Sequence, residues 1–202
     1  MGLLQKLCLG KNFKNLSSPL FQGSIDHMSN KALFLDRDGV INIDHGYVYK
    51  INDFDFVSGI FALSRKAIQK GYKIFVVTNQ AGIARGLYSL QEFKSLTDWM
   101  CERFVQEQCE ISKVYFSPYH PTEGIGKYRK NDFSRKPNPG MIFSAQKEFD
   151  INLKCSILIG DKASDIEAGI SAGVGTNLRF REGSSPTKGV ISRLDQAFDY
   201  LR

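Results

Sequence analysis

From residue 31 onward, short apolar runs alternate with stretches in which apolar residues recur every three or four positions. The runs predict strands at 32–35, 73–78, 113–117, 156–159 and 174–178, and the helical spacing predicts helices at 60–70, 90–108, 139–149, 164–172 and 192–201. Strand and helix taking turns in this way predicts a parallel sheet covered on both faces, an α/β, Rossmann-like three-layer fold. Two helix starts have local chemistry behind them. Ser89 and Glu92 have the spacing of a capping box, and Asn138 before Pro139 reads as an N-cap with proline at the first helical position. Phe93, Leu96, Met100 and Phe104 form an apolar stripe, and Phe93, Trp99 and Phe104 read as core packing. Residues 118–137 show no clear element. A stretch that long is either a functional loop or a segment whose elements the pattern does not reveal.

The chain has 202 residues, enough for one domain with a sizeable core, and the pattern assigns it to residues 31–202. Residues 1–30 lack sustained periodicity and are expected to form a flexible extension; their apolar stretch is too short and interrupted for a signal peptide. No run approaches the roughly 18 apolar residues of a membrane span, so a soluble protein with no membrane partner is expected. The net charge is +6, of which Lys6, Lys11 and Lys14 against Asp26 place +2 in the extension. The rest forms no basic block or helix face, which argues against nucleic acid and suits a small phosphorylated ligand. Cys8, Cys101, Cys109 and Cys155 show no CxxC or disulfide framework, as expected of reduced thiols in a cytoplasm.

The first predicted strand ends in Asp36 and Asp38, one residue apart, with Gly39 next. A strand interior excludes unpaired charge, so two acids at its carboxyl end are either solvated or hold something cationic. In an open parallel sheet, ligands collect beyond the carboxyl ends of the strands. Three further places there carry chemistry: Thr78 and Asn79 after the second strand, Arg135 and Lys136 in a later loop, and Asp161 and Lys162 after the fourth, with Asp165 following. Asp36, Asp38 and Asp161 gathered at one edge would repel one another unless a cation sat among them, and hard oxygen ligands select Mg2+. Mg2+ would hold a phosphoryl group, whose other oxygens Lys136 and Thr78 could neutralise and hydrogen-bond. One acid could then attack phosphorus to form an aspartyl phosphate, and the other could protonate the departing alcohol and activate the hydrolytic water.

Each motif alone has a plainer reading, as a solvated turn, a surface loop or a capped helix start. The calcium-loop reading of DxD fails, because an EF-hand continues D-x-D-x-D-G and closes on glutamate. Order and placement within one α/β chain make the motifs jointly specific.

At these residues the sequence resembles the haloacid dehalogenase superfamily of aspartate-nucleophile phosphatases, whose four motifs read here DRDGV, VVTNQ, RKP and GDKASD. The resemblance covers residues 31 to about 180 and implies Asp36 as nucleophile and Asp38 as general acid/base. It implies Thr78 and Lys136 as phosphate binders, and Asp36, the backbone carbonyl of Asp38, and Asp161 as Mg2+ ligands. Asp165 and Lys162 would support them. Within the superfamily, NIDHGYV, TNQAGIARG and RKPNPGM look like the subfamily that joins heptose bisphosphate phosphatases to histidinol-phosphate phosphatases. That likeness implies an essentially capless domain and a sugar-phosphate substrate near Asp44, His45, Gly46, Tyr47, Gly82, Arg85 and Asn79, with Arg135 helping to orient it. The implied reaction removes the 7-phosphate of a heptose 1,7-bisphosphate on the way to nucleotide-activated heptose, with histidinol phosphate or another small ester as the alternative. Such relatives commonly hold a structural zinc through CxH and CxC. The matching positions here are Ser117, Tyr119, Asp132 and Ser134, and His120 does not replace four ligands, so no zinc is expected.

Two other classes stay open. A phosphoacceptor signalling domain would place its aspartate at a middle strand end, where this chain has Thr78. A non-catalytic binding protein would keep the fold without turnover. A monomer is expected.

Overall fold

The computed structural model describes residues 30–185 and 187–202, so the extension apart from Asn30 lies outside the described residues. The strands are β1 (Lys31–Leu35), β2 (Tyr72–Asn79), β3 (Ile111–Ser117), β4 (Ile157–Gly160), β5 (Thr176–Phe180) and β6 (Val190–Ile191). All pair in parallel in the order β3-β2-β1-β4-β5-β6. The helices are α1 (Ile60–Gln69), α2 (Ala81–Ala84), α3 (Leu90–Gln106), α4 (Gly140–Phe149) and α5 (Ala163–Ala172).

The period of two along each strand divides the core into two layers. Leu33, Leu35, Ile74, Val76, Ile157 and Ile159 turn to one face, against Leu63 of α1 and Leu96, Met100 and Phe104 of α3. Ala32, Phe34, Phe75, Val77 and Leu158 turn to the other, under Met141, Ile142 and Ala145 of α4 and Ala168 of α5. Each large aliphatic side chain so buried contributes about 1.5–3 kcal/mol. The Ser89 capping box forms as expected: the Glu92 amide donates to Ser89 Oγ at 3.1 Å and the Ser89 amide to Glu92 Oε2 at 2.7 Å. Phe93 and Phe104 are buried, and Trp99 packs on Phe54 and Phe56.

Several boundaries differ from the pattern. Strand β3 begins at Ile111 and not at 113, because a register shift opposite Ile74 and Phe75 hides its first residues from a simple alternation. Asn138 does not cap α4; its side-chain Nδ2 donates to the Asp132 carbonyl at 3.3 Å, and Pro139 stands at the cap position itself. The predicted helix at 192–201 is a 3-10 helix, Leu194–Tyr200, whose buried Leu194 and Ala197 stand three apart, the repeat of the tighter coil. The segment 118–137 contains a 3-10 turn at Gly126–Tyr128 and a bridge between His120 and Arg129. Neither β6 nor α2 is long enough to leave a periodic trace in the sequence.

Candidate active site

Strand β1 lies between β2 and β4, and the chain leaves β1 toward α1 on one face of the sheet but leaves β4 toward α5 on the other, which opens a crevice at their carboxyl ends. The motif residues after these three strands meet there. The Asp36 amide donates to the Ile159 carbonyl at 3.0 Å, continuing the β1–β4 ladder, and its side chain is 7% exposed.

Lys136 crosses from the loop before α4. Its Nζ stands 2.9 Å from Asp36 Oδ1 and 2.6 Å from Asp165 Oδ1 and donates to the Val77 carbonyl at 2.7 Å. Its backbone is pinned as well: Asn79 Nδ2 donates to the Lys136 carbonyl and the Lys136 amide to Asn79 Oδ1, both at 3.0 Å. Burial pushes the Asp36 carboxyl up, and Asp165 and Asp161 add to the rise while Lys136 opposes it, to about 7. Burial works against the Lys136 charge too, but the Asp36 and Asp165 carboxylates outweigh it and hold its pKa above the ordinary value.

Asp36, Asp161 and Asp165 each bring an oxygen within 4.8 Å of the others. Asp165 is already committed, with Oδ1 on Lys136 and Oδ2 accepting the Lys162 amide at 2.9 Å. Asp161 Oδ1 is buried with no hydrogen-bond partner among the described residues. An unpartnered buried carboxylate oxygen facing a second carboxylate fits a hard divalent cation, with Asp36 and Asp161 as its ligands. Two glycines make the close packing possible. A Cβ on Gly39, which has a φ of +91°, would lie 2.6 Å from Asp161 Cγ, and one on Gly160 would lie 2.2 Å from Asp165 Cβ.

Asp38 has separate partners. Arg37 Nη2 donates to its Oδ1 at 2.8 Å and its Oδ2 at 3.0 Å, Asn42 Nδ2 to Oδ1 at 3.1 Å and Gln80 Nε2 to Oδ2 at 2.9 Å. Gln80 Nε2 also donates to Thr78 Oγ1 at 2.9 Å, and Tyr88 donates its hydroxyl to Gln80 Oε1, which links Asp38 to Thr78. Arg37, Asn42, Gln80 and Tyr88 were not legible as site residues from the motif types, although Gln80 closes the TNQ run and Arg37 stands between the two acids.

The expected sugar contacts divide into groups. Asp44 Oδ2 accepts from Lys162 Nζ at 3.1 Å and Asp44 Oδ1 from the Gly46 amide at 3.0 Å, which ties the loop after β1 to the loop after β4. Asp44 titrates below the ordinary carboxylate range, because the hydrogen bond and charge of Lys162 outweigh its partial burial. Tyr47 is exposed, and the Arg85 guanidinium lies over its ring at 5.6 Å while pairing with Glu123. Arg135 Nη1 donates to the Tyr119 carbonyl at 2.9 Å. His45 points elsewhere, to Asp55 Oδ2 at 2.8 Å, and Gly82 is packed against the Tyr88 ring. At the positions compared above with a zinc loop, Ser134 Oγ bonds to Ser117 Oγ at 3.1 Å and to Asp132 Oδ1 at 2.5 Å, so a polar cluster closes the loop there.

The parallel sheet and the acids at its switch point define a phosphatase of the haloacid dehalogenase type, a hydrolase of phosphate monoesters, and the chain belongs to that family. A HAD-hydrolase-like family profile matches residues 133–188. More particularly, the chain is 57% identical to the D-glycero-alpha-D-manno-heptose-1,7-bisphosphate 7-phosphatase of Burkholderia mallei, over 75% of this chain and 80% of that protein. It is 45% identical to the beta-anomer 7-phosphatase of Vibrio cholerae, over 80% of this chain and 87% of that one. The crystal structure of D,D-heptose 1,7-bisphosphate phosphatase from B. bronchiseptica, complexed with magnesium and phosphate, superposes with a TM-score of 0.72 at 25% identity, covering 85% of this chain and 97% of that one. Among the described residues, no helix is long and apolar enough to cross a membrane.

Proposed function

We propose that this protein removes the 7-phosphate of D-glycero-D-manno-heptose 1,7-bisphosphate, with Mg2+ and through an aspartyl phosphate on Asp36. The observation that carries the chemistry is the buried Asp36 carboxylate, with the Lys136 ammonium at 2.9 Å and the unpartnered oxygen of Asp161 in the same acidic group. Heptose as the substrate rests on the relatives named above.

Asp36, Asp161 and the Asp38 backbone carbonyl would hold Mg2+, which when bound would neutralise phosphoryl oxygens and orient phosphorus toward Asp36. Lys136 and Thr78 would take the remaining oxygens. An Asp36 oxygen attacks phosphorus as the ester P–O bond breaks, and Asp38 gives its proton to the departing sugar oxygen. Asp38 then accepts a proton from water as that water attacks the aspartyl phosphate, and phosphate leaves with Asp36 regenerated. Residues 31–202 would act as one domain, with Asp44, Tyr47, Arg85 and Arg135 at the sugar side.

Phosphate release with Mg2+ is the test, against both anomers of heptose 1,7-bisphosphate, fructose 1,6-bisphosphate and histidinol phosphate, with Asp36→Asn as control. A heptose preference that the control abolishes is expected. Turnover of histidinol phosphate in its place would replace the substrate and keep the mechanism.

A further inference from the structure

We infer that Arg37 is a positioning residue of this reaction, holding the Asp38 carboxylate at the angle from which it serves the leaving oxygen. The inference rests on the assignment of Asp38 as general acid/base. Arg37 is 1% exposed, and Asp38 is the one carboxylate within ion-pair distance of it among the described residues. Nε and Nη2 both reach Oδ1, at 3.2 and 2.8 Å, and Nη2 also reaches Oδ2 at 3.0 Å, so the planar fork fixes the direction of the carboxylate as well as its charge. The same Nη2 donates to the Val48 carbonyl at 2.6 Å. Asp38 is thereby registered against the loop that carries Asp44 and Tyr47, on the sugar side of the crevice.

A stabilising role does not account for this arrangement. A buried ion pair is weak support for a fold, because desolvation offsets its attraction, and an apolar side chain of similar volume often does as well. Here Nη1 is also buried with no partner among the described residues, an added cost that packing alone gives no reason to accept. The Phe93 ring, 5.7 Å from the guanidinium carbon, supplies a face on which the fork rests without competing for its donors. Adjacency explains why the pair is missed in sequence: an arginine between two aspartates reads as a solvated turn.

The consequence is chemical. If Arg37 aims the acid, losing it harms departure of a poor leaving group and spares a good one, which needs no proton. In the full-length protein with Mg2+, kcat/KM is compared for phenyl phosphate and 2,4-dinitrophenyl phosphate in wild type, Arg37→Met, Arg37→Lys and Asp38→Asn. Arg37→Met is expected to lose about 100-fold on phenyl phosphate and under about threefold on the dinitrophenyl ester, within the range that proton transfer contributes. Arg37→Lys, which keeps the charge without the fork, should lose about tenfold on the first ester alone. If the methionine variant melts before assay temperature, the lysine variant carries the comparison. Equal losses on both esters in a folded Arg37 variant, or no loss, overturn the inference. Asp38→Asn separates the two levels: a leaving-group split there but in neither Arg37 variant removes Arg37 alone, whereas no split in Asp38→Asn removes the role of Asp38.

Discussion

Gly39 shows how little room the site has. Its φ of +91° suits glycine, and a methyl group there would overlap the Asp161 carboxylate at 2.6 Å. Gly39→Ala is expected to displace Asp161 and lower kcat/KM by about 100-fold, the scale of a misplaced catalytic group, with Asp161 still present to be seen moved in a crystal structure. The pairing of Asn79 with the Lys136 backbone has a similar logic. The asparagine was legible as a neighbour of phosphate, yet its amide is spent in positioning the lysine.

At the scale of elements, the loop at 118–137 closes on hydrogen bonds among its own polar side chains and Ser117. Asp132 accepts from the Ser134 amide at 2.9 Å and pairs with Lys130 at 2.7 Å, in addition to its bond from the Ser134 hydroxyl. Asp132→Ala should cost about 1–3 kcal/mol, since the Ser134 groups lose their acceptor, and should speed limited proteolysis within the loop. Elemental analysis of the purified protein is expected to find no stoichiometric zinc.

The strands that carry the motifs were legible because buried parallel strands are continuous apolar runs, and the acids stood out at their ends. The loop was not, because its order comes from contacts between side chains far apart in sequence, such as Ser117 with Ser134, which leave no period to read. The C-terminal coil was placed correctly but given the wrong pitch, because an apolar spacing of three, as between Leu194 and Ala197, suits either kind of helix.

At the scale of the whole molecule, the acidic cluster would couple stability to a bound metal ion. The Asp36 pKa is raised to about 7, so between the ordinary carboxylate value near pH 4 and that point the folded state holds a proton the unfolded chain has released. Metal-free stability from this group is therefore greatest at low pH and falls as pH rises through the window. A cation among the acids removes the penalty of ionising them. Thermal unfolding at several pH values should show the Tm gain from Mg2+ growing between about pH 5 and pH 8, and a gain independent of pH would contradict the burial of Asp36.

The position of β1 in the middle of the sheet has a consequence for how activity is acquired. Both of its neighbours follow it in sequence, but β2 pairs Lys31 with Tyr72 across 41 positions, whereas β4 pairs Leu33 with Ile157 across 124. The half containing β1, β2 and β3 can assemble from nearer contacts, but it lacks Asp161 and Asp165 until the distant half docks. Closing so long a loop is slow relative to local pairing. During refolding, helical signal and partial burial should therefore return before phosphatase activity. Turnover would mark the moment at which β1 and the distant β4 segment have found each other.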